Sequence, residues 1–168
     1  MALIDFENYI YKILKDKRDI NTVKCSEKFK EFLLTCEGGQ FQFKSKSFIK
    51  VDEVEYCLYG KIDVLFPDTI LDIKTTGKWD QFSEAKYLSS MQHIIYLYNQ
   101  DMKRFQYMIA VFNSSSDTVI KEIKILNYFE ANQEVLKEKI IMAIRKQTEF
   151  LKEHPVLKDL YNKTFSKY

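Results

Sequence analysis

The sequence has 168 residues, of which 46% are hydrophobic and 30% are charged, and its net charge is +2. A chain of this length and composition forms one globular domain with a substantial core, which excludes a disordered chain, a collagen-like repeat and a coiled-coil rod. No apolar run approaches the roughly 20 residues of a membrane helix, and acidic residues within the first seven positions predict that no signal peptide is present.

Apolar residues recur at helical spacing in some segments and at every second position in others, where strands are expected. In chain order the spacing predicts helices over 3–15 and 26–37, strands over 40–51, 55–66 and 69–75, a helix over 84–100, strands over 105–112 and 118–126, and a last helix over 128–154. Asn127 and Glu130 resemble a capping box that opens the last helix, and Pro155 ends or kinks it. This order predicts a single α/β domain over 1–168, with a central mixed β-sheet flanked by helices and a core of about 26–126.

The charges are distributed unevenly along the chain. Residues 51–100 carry more acidic than basic side chains, whereas both flanking stretches carry more basic ones. The pattern is either ordinary scatter or a carboxylate site for a cation, framed by surface that attracts phosphates. The three cysteines lack the spacing and number of a zinc or iron–sulfur site, so reduced thiols in the cytoplasm are expected.

Two aspartates lie inside apolar strand segments, Asp63 in the second predicted strand and Asp72 in the third. A buried carboxylate is costly unless it is paired or binds a metal, and oxygen ligands suit Mg²⁺ or Mn²⁺. Lys74 shares a face with Asp72, because side chains two apart on a strand project together. The three residues predict a site that hydrolyses phosphodiesters, in which Lys74 orients or deprotonates the attacking water. The alternative is an Asp–Lys ion pair that only stabilises the strand.

Two polar side chains on the next predicted helix favour the first interpretation. Gln92 and Tyr96 are four residues apart and therefore share a helix face. They follow directly after the two-aspartate strand pair, where they could contact a nucleotide or its phosphate. The alternative is a surface pair without a function.

The ordered set Gly60-x-x-Asp63, Asp72-Ile73-Lys74 and Gln92-x-x-x-Tyr96 resembles the PD-(D/E)XK nuclease superfamily, in particular its RecB-like exonuclease branch and small phage-encoded members. The resemblance covers roughly residues 36–112. It implies a restriction-endonuclease-like core, with Asp63, Asp72 and the Ile73 carbonyl as ligands of Mg²⁺ or Mn²⁺, and Asp63, Asp72 and Lys74 as catalytic residues. It also implies that Gln92 and Tyr96 contact DNA.

The sequence departs from this family at two points. Many relatives carry Glu at the position of Asp72, and relatives often add a carboxylate or a histidine from the helix before the first strand. Glu27, Glu31 and Glu37 are the candidates for this additional ligand, and the sequence does not choose among them.

The expected function is that of a metal-dependent DNA nuclease, with exonuclease action favoured, encoded by a phage or mobile element and located in the cytoplasm of a bacterial host. DNA is the expected partner, and a homo-oligomer or a recombination-type partner protein would also fit. The alternative is a catalytically weak or inactive protein of the same fold, which binds DNA or inhibits a host protein complex, because fold alone does not determine activity.

Overall fold

The computed structural model describes residues 10–13, 27–112 and 120–165. Of the predicted helix over 3–15, only residues 10–13 are among them, and they are helical. The start of the predicted strand over 118–126 lies outside the described residues. The remaining elements in chain order are α1 (Glu27–Thr35), β1 (Gln40–Val51), β2 (Val54–Leu65), β3 (Ile70–Thr76), α2 (Ser83–Leu88), α3 (Met91–Gln100), β4 (Arg104–Phe112), β5 (Ile120–Phe129), α4 (Gln133–Glu153) and α5 (Pro155–Phe165).

The five strands form one mixed sheet in the order β1-β2-β3-β4-β5. Among the described strands, only β3 and β4 pair in parallel. Helices α2 and α3 form the crossover connection that a parallel pair needs. The predicted fold class, a single α/β domain with a central mixed sheet flanked by helices, is confirmed.

Each face of the sheet is buried under helices, so the core has two layers. The first layer lies under α1 and the helical residues 10–13, and it contains Ile10, Ile13, Phe29, Phe32, Leu33, Val64, Leu71, Ile73 and Met108. The second lies under α3 and α4, and it contains Ile62, Ile70, Ile94, Leu97, Phe105, Tyr107, Ile109, Leu136 and Ile140.

The turn between β1 and β2 is where the sequence predicts it. Asp52 and Glu53 have φ values of 48° and 67°, so both lie in the left-handed region that a two-residue hairpin turn uses. Arg145 of α4 binds both carboxylate oxygens of Asp52, at 2.7 and 3.0 Å. The guanidinium beside Asp52 holds the pKa of that carboxyl below its usual value.

Two predicted helix boundaries are wrong. The helix over 84–100 is two helices, because Ser90 has an extended backbone (ψ 144°) and its hydroxyl caps α3. The last helix begins at Gln133 rather than at residue 128. Asn132 caps it by accepting a hydrogen bond from the Glu134 N–H.

Asn127 lies within β5, which continues to Phe129, because pairing with β4 outweighs the local capping pattern. Pro155 ends α4 and opens α5, a position where the missing N–H of proline costs nothing. Within the described residues, no helix combines the length and apolarity needed to span a membrane.

Candidate metal and nucleic-acid site

The β2 and β3 strands separate soon after they pair. Their register contains Val64↔Leu71 and Leu65↔Ile70, and no further pair follows although both strands are described in full. Continuation of this register would place Asp63 opposite Asp72. We call the resulting gap, with Asp63, Asp72, Ile73 and Lys74 on its walls, the β2–β3 opening.

Asp72 is the most deeply buried charged residue of the opening, at 1% exposure. Its Oδ2 lies 2.6 Å from Lys74 Nζ, and its Oδ1 accepts a hydrogen bond of 2.6 Å from Gln92 Nε2. The Lys74 side chain is 32% exposed, so the ion pair connects a buried carboxylate to solvent. The structure therefore joins three residues that the sequence singled out. The Asp72–Lys74 contact is the ion pair that the alternative interpretation also expects.

Asp63, at 8% exposure, is held by different partners. Its Oδ2 accepts a hydrogen bond of 2.8 Å from the Ile73 backbone N–H, and its Oδ1 accepts one of 3.0 Å from the Tyr11 hydroxyl. The first bond replaces a hydrogen bond that Ile73 would otherwise make within the strand ladder. No cationic side chain forms an ion pair with Asp63 among the described residues.

Tyr11 is the site residue that sequence analysis missed. It lies in the helical segment 10–13, whose apolar residues Ile10 and Ile13 are buried, and it reaches Asp63 from 52 positions away. Its position in the sequence carries no signal for this role, since a tyrosine beside an apolar helix stripe is commonly a packing residue.

Helix α3 brings Gln92 and Tyr96 to the opening, but the two side chains bind different partners. Gln92 contacts Asp72, whereas the Tyr96 hydroxyl donates to the Lys61 carbonyl at 2.9 Å and accepts from the Lys61 N–H at 3.1 Å. The Tyr96 ring is 6% exposed. Tyr96 therefore positions β2, and the DNA contact that the resemblance implies for it stays a prediction.

Gly60 explains how Tyr96 can approach so closely. A Cβ atom at Gly60 would lie 2.2 Å from Tyr96 Cε1, closer than any two such atoms pack. The sequence motifs Gly60-x-x-Asp63 and Gln92-x-x-x-Tyr96 are thus in direct contact, because the glycine leaves room for the tyrosine ring.

His93 follows Gln92 but faces the second core layer. It is fully buried, and its Nδ1 lies 3.1 Å from the Tyr107 hydroxyl. Burial, aided by the nearby Lys139 charge, lowers the pKa of His93 to about 4. Burial also raises the pKa of Tyr107 to about 12, so both groups are neutral near pH 7.

Burial also keeps two further groups near the opening neutral. It raises the pKa of the Cys36 thiol to about 12, and the negative charge of Asp63 adds to this effect. Burial likewise raises the pKa of Tyr96 above its ordinary value. Neither group can therefore supply charge to a cation, which leaves the carboxylates as the candidate charged ligands of the opening.

The opening offers oxygen donors of the kind that Mg²⁺ and Mn²⁺ bind: two carboxylates and the Ile73 carbonyl. Within 10–13, 27–112 and 120–165, no third acidic, cysteine or histidine side chain joins them in a metal-sized cluster. Glu27, Glu31 and Glu37 are all exposed, and Glu27 pairs with Lys30 at 3.0 Å. The donor set still fits Mg²⁺, which uses one or two carboxylates and completes its shell with water and substrate phosphates.

No family model matches the chain, and no curated protein matches it. Solved structures do match, and one of them is described as "Crystal structure of SSO0001". The alignment with it covers 69% of this chain and 55% of that chain, at 17% identity and a TM-score of 0.49. This chain thus spans about half the length of that protein. So distant a likeness indicates no activity, substrate or cofactor for this chain.

Proposed function

We propose that this protein is a metal-dependent nuclease that hydrolyses phosphodiester bonds in DNA at the β2–β3 opening. The observation that carries the proposal is the burial of Asp63 together with the nature of its hydrogen-bond partners. Its carboxylate is nearly buried, yet its hydrogen-bond partners are a backbone N–H and a tyrosine hydroxyl, and among the described residues no cation pairs with it. Buried carboxylates without a cationic partner are typical of metal sites.

An ion pair that merely stabilises the strand would account for Asp72 and Lys74 but not for Asp63. The second carboxylate, on the neighbouring strand, has its hydrogen bond to Ile73, the residue between Asp72 and Lys74. The two acidic groups are thus tied to one three-residue segment of β3. Because like charges repel at short range, a divalent cation between them would lower the free energy of this arrangement.

Each residue of the opening has a distinct role in the proposed reaction. Asp63, Asp72 and the Ile73 carbonyl would hold Mg²⁺ or Mn²⁺. When bound, the metal supplies Lewis-acid polarisation of the phosphodiester and stabilisation of the developing negative charge. Lys74, whose Nζ lies beside Asp72, would orient or deprotonate the attacking water. Gln92 fixes the Asp72 carboxylate and would contact the DNA strand. The water oxygen would form the new bond to phosphorus, the bond to the leaving oxygen would break, and one proton of the water would end on that oxygen.

The proposal predicts that Lys74→Ala loses at least about 100-fold in cleavage rate, because a positioned proton-handling group contributes about 10²–10⁴-fold. The measurement is cleavage of end-labelled single- and double-stranded DNA with Mg²⁺, Mn²⁺ or EDTA. A ladder of products shortening from one end would support the favoured exonuclease action.

Lys78→Ala is the matched control. Lys78 pairs with Asp80 at the same two-residue spacing, but its ion pair is 3.4 Å long and its side chain is 82% exposed. We expect this variant to cleave within twofold of the wild type. Equal activity of Lys74→Ala and the wild type, with both proteins folded, would remove the β2–β3 opening from the reaction.

One observation favours a second candidate, a binding protein of this fold with weak or absent catalysis. The two Asp72 oxygens already face Lys74 and Gln92, and no third acidic ligand completes the site within the described residues. A well-folded wild type that binds DNA but does not cleave it with either metal would support this candidate over the nuclease.

A further inference from the structure

We propose that the outer face of the β1–β2 hairpin binds single-stranded DNA and leads it to the β2–β3 opening. This inference deepens the proposed nuclease function, on which its biological meaning rests, but binding is measured separately from cleavage. The part of this outer face that lies nearest the opening contains Lys44, Lys46, Phe48, Tyr59 and Lys61, and we call these five residues the ribbon face; Lys50 and Glu55 lie opposite each other farther toward the turn.

Among the described residues, helices cover the hairpin on one side only. On the covered side, Asn99 of α3 donates hydrogen bonds to the Ser45 hydroxyl and the Leu58 carbonyl, each at 3.0 Å. Ile49 and Ile62 are buried there under the helices. Because side chains alternate along a strand, the ribbon-face residues project to the opposite side, and all five are exposed.

The strand register places positive charges side by side on the ribbon face. Lys44 is directly opposite Lys61, and Lys46 is directly opposite Tyr59. Like charges in direct cross-strand register destabilise a sheet. Among the described residues no acidic side chain forms an ion pair with Lys44, Lys46 or Lys61, so the free energy of the face would fall when an anion such as a phosphate binds.

Two aromatic rings stand among these lysines. Phe48 is 56% exposed and Tyr59 is 54% exposed, and the Lys46 ammonium lies 5.1 Å from the centre of the Phe48 ring. Lysines that follow a backbone, combined with exposed rings on which bases stack, are typical of surfaces that bind single strands. Paired bases in a duplex are already stacked on one another and do not stack on exposed side chains, which favours a single strand as the ligand.

The ribbon face is continuous with the opening. Lys61 precedes Asp63 by two residues on β2, which corresponds to roughly 7 Å along the strand. Tyr96 holds the Lys61 backbone through its two hydrogen bonds, so the end of the ribbon face has a defined position relative to Asp63. A strand lying on the ribbon face would therefore reach the carboxylates with its next phosphate.

The test is the anisotropy of a fluorescently labelled oligo-dT, and of a duplex of equal length, titrated with the full chain in EDTA, where cleavage is absent. We expect the wild type to bind the single strand at least tenfold more tightly than the duplex. Lys44→Ala/Lys61→Ala should lose at least about tenfold in affinity and lower the salt slope by about 1.4, since each lost phosphate contact contributes about 0.7 on a single strand.

A second pair of variants separates stacking from charge. Phe48→Ala/Tyr59→Ala should lose at least about tenfold in affinity without a change in the salt slope, because stacking does not release counterions. Lys146→Ala/Lys152→Ala, which removes two exposed lysines from α4, is the matched control and should bind like the wild type. Circular dichroism establishes that every variant is folded.

Three results would overturn the inference: no binding of the single strand by the wild type, tighter binding of the duplex, or wild-type affinity in both ribbon-face variants. These failures are distinguishable from failure of the proposed function. A wild type that binds oligo-dT through the ribbon face but cleaves nothing with Mg²⁺ or Mn²⁺ contradicts the nuclease and supports the inference. A wild type that cleaves while both ribbon-face variants bind normally does the reverse.

Discussion

Strand β2 is paired in two different ways along its two edges. Toward β1 the register runs from Gln40↔Leu65 to Val51↔Val54 and lacks only the pair Gln42↔Asp63, whereas toward β3 it ends after Val64↔Leu71 and Leu65↔Ile70. Backbone groups that lose a ladder partner inside a protein need another one. On the open edge this partner is a side chain, the Asp63 carboxylate, and polar residues gather where the ladder stops.

The two edges depend on each other. The hairpin is held against α3 by Tyr96 and Asn99 and against α4 by Arg145, so β2 has a fixed position before it reaches the opening. A strand supported in this way can leave β3 without loss of register. The long β1–β2 ladder therefore provides the rigidity that positions Asp63 next to the short β2–β3 ladder.

The largest expected effect on stability comes from replacing Asp63, whose carboxylate takes the place of a strand partner for the Ile73 N–H. Asp63→Ala leaves the Ile73 N–H and the Tyr11 hydroxyl without their acceptor, and we expect the free energy of unfolding to fall by about 3–4 kcal/mol, because each hydrogen bond to a charged group contributes about 1.5–3 kcal/mol. Urea denaturation measures this change.

Two companion variants test whether the effect belongs to the open edge. Cys57→Ala, on the exposed side of the same strand, should change the free energy of unfolding by less than about 0.5 kcal/mol. Asp63→Asn keeps an acceptor for Ile73 and should be less destabilised than Asp63→Ala. Equal stability of Asp63→Ala and Cys57→Ala would show that the carboxylate does not replace the ladder.

The contact between Gly60 and Tyr96 tests how the paired edge is supported. Gly60→Ala places a methyl group within 2.2 Å of the Tyr96 ring, and we expect a loss of about 2–3 kcal/mol, since overpacking costs about 1–3 kcal/mol. In a Tyr96→Ala background the same change should cost at least about 1 kcal/mol less, as measured by a double-mutant cycle. Additive effects would mean that the ring does not cause the clash.

The side of α3 that faces the second core layer should make the stability of the protein depend on pH, through His93. His93 has its pKa lowered to about 4 in the folded protein against 6.5 in the unfolded chain, so between these values the unfolded chain binds more protons. Stability therefore falls as the pH falls through this window, by about 2 kcal/mol between pH 7 and pH 5.

His93→Gln isolates the contribution of His93 to the pH dependence from that of all other groups. Glutamine can still bond the Tyr107 hydroxyl but does not titrate. The variant should show a shallower loss of stability between pH 6.5 and pH 5 in denaturation experiments. Identical slopes for the two proteins would mean that His93 does not remain neutral in the folded state.

Much of the site was predictable, since Asp63, Asp72, Lys74 and Gln92 were identified from the sequence and the structure ties all four to the opening. The roles were less predictable than the positions. The structure shows the Tyr96 hydroxyl bound to the Lys61 backbone, a neighbour that four-residue spacing on a helix does not predict, and the DNA contact of Tyr96 stays a prediction. Metal ligation, catalysis and DNA contact by the residues of the opening also stay predictions.

By itself, the sequence determined the fold class and four of the five strands almost to the residue, because alternation of apolar residues reflects the burial of one strand face. Only tertiary structure decided the rest. Pairing with β4 extended β5 past the apparent cap at Asn127, and packing of the segment 10–13 brought Tyr11 to Asp63. These outcomes depend on partners distant in sequence, whose contact free energies exceed the local preferences that a sequence pattern records.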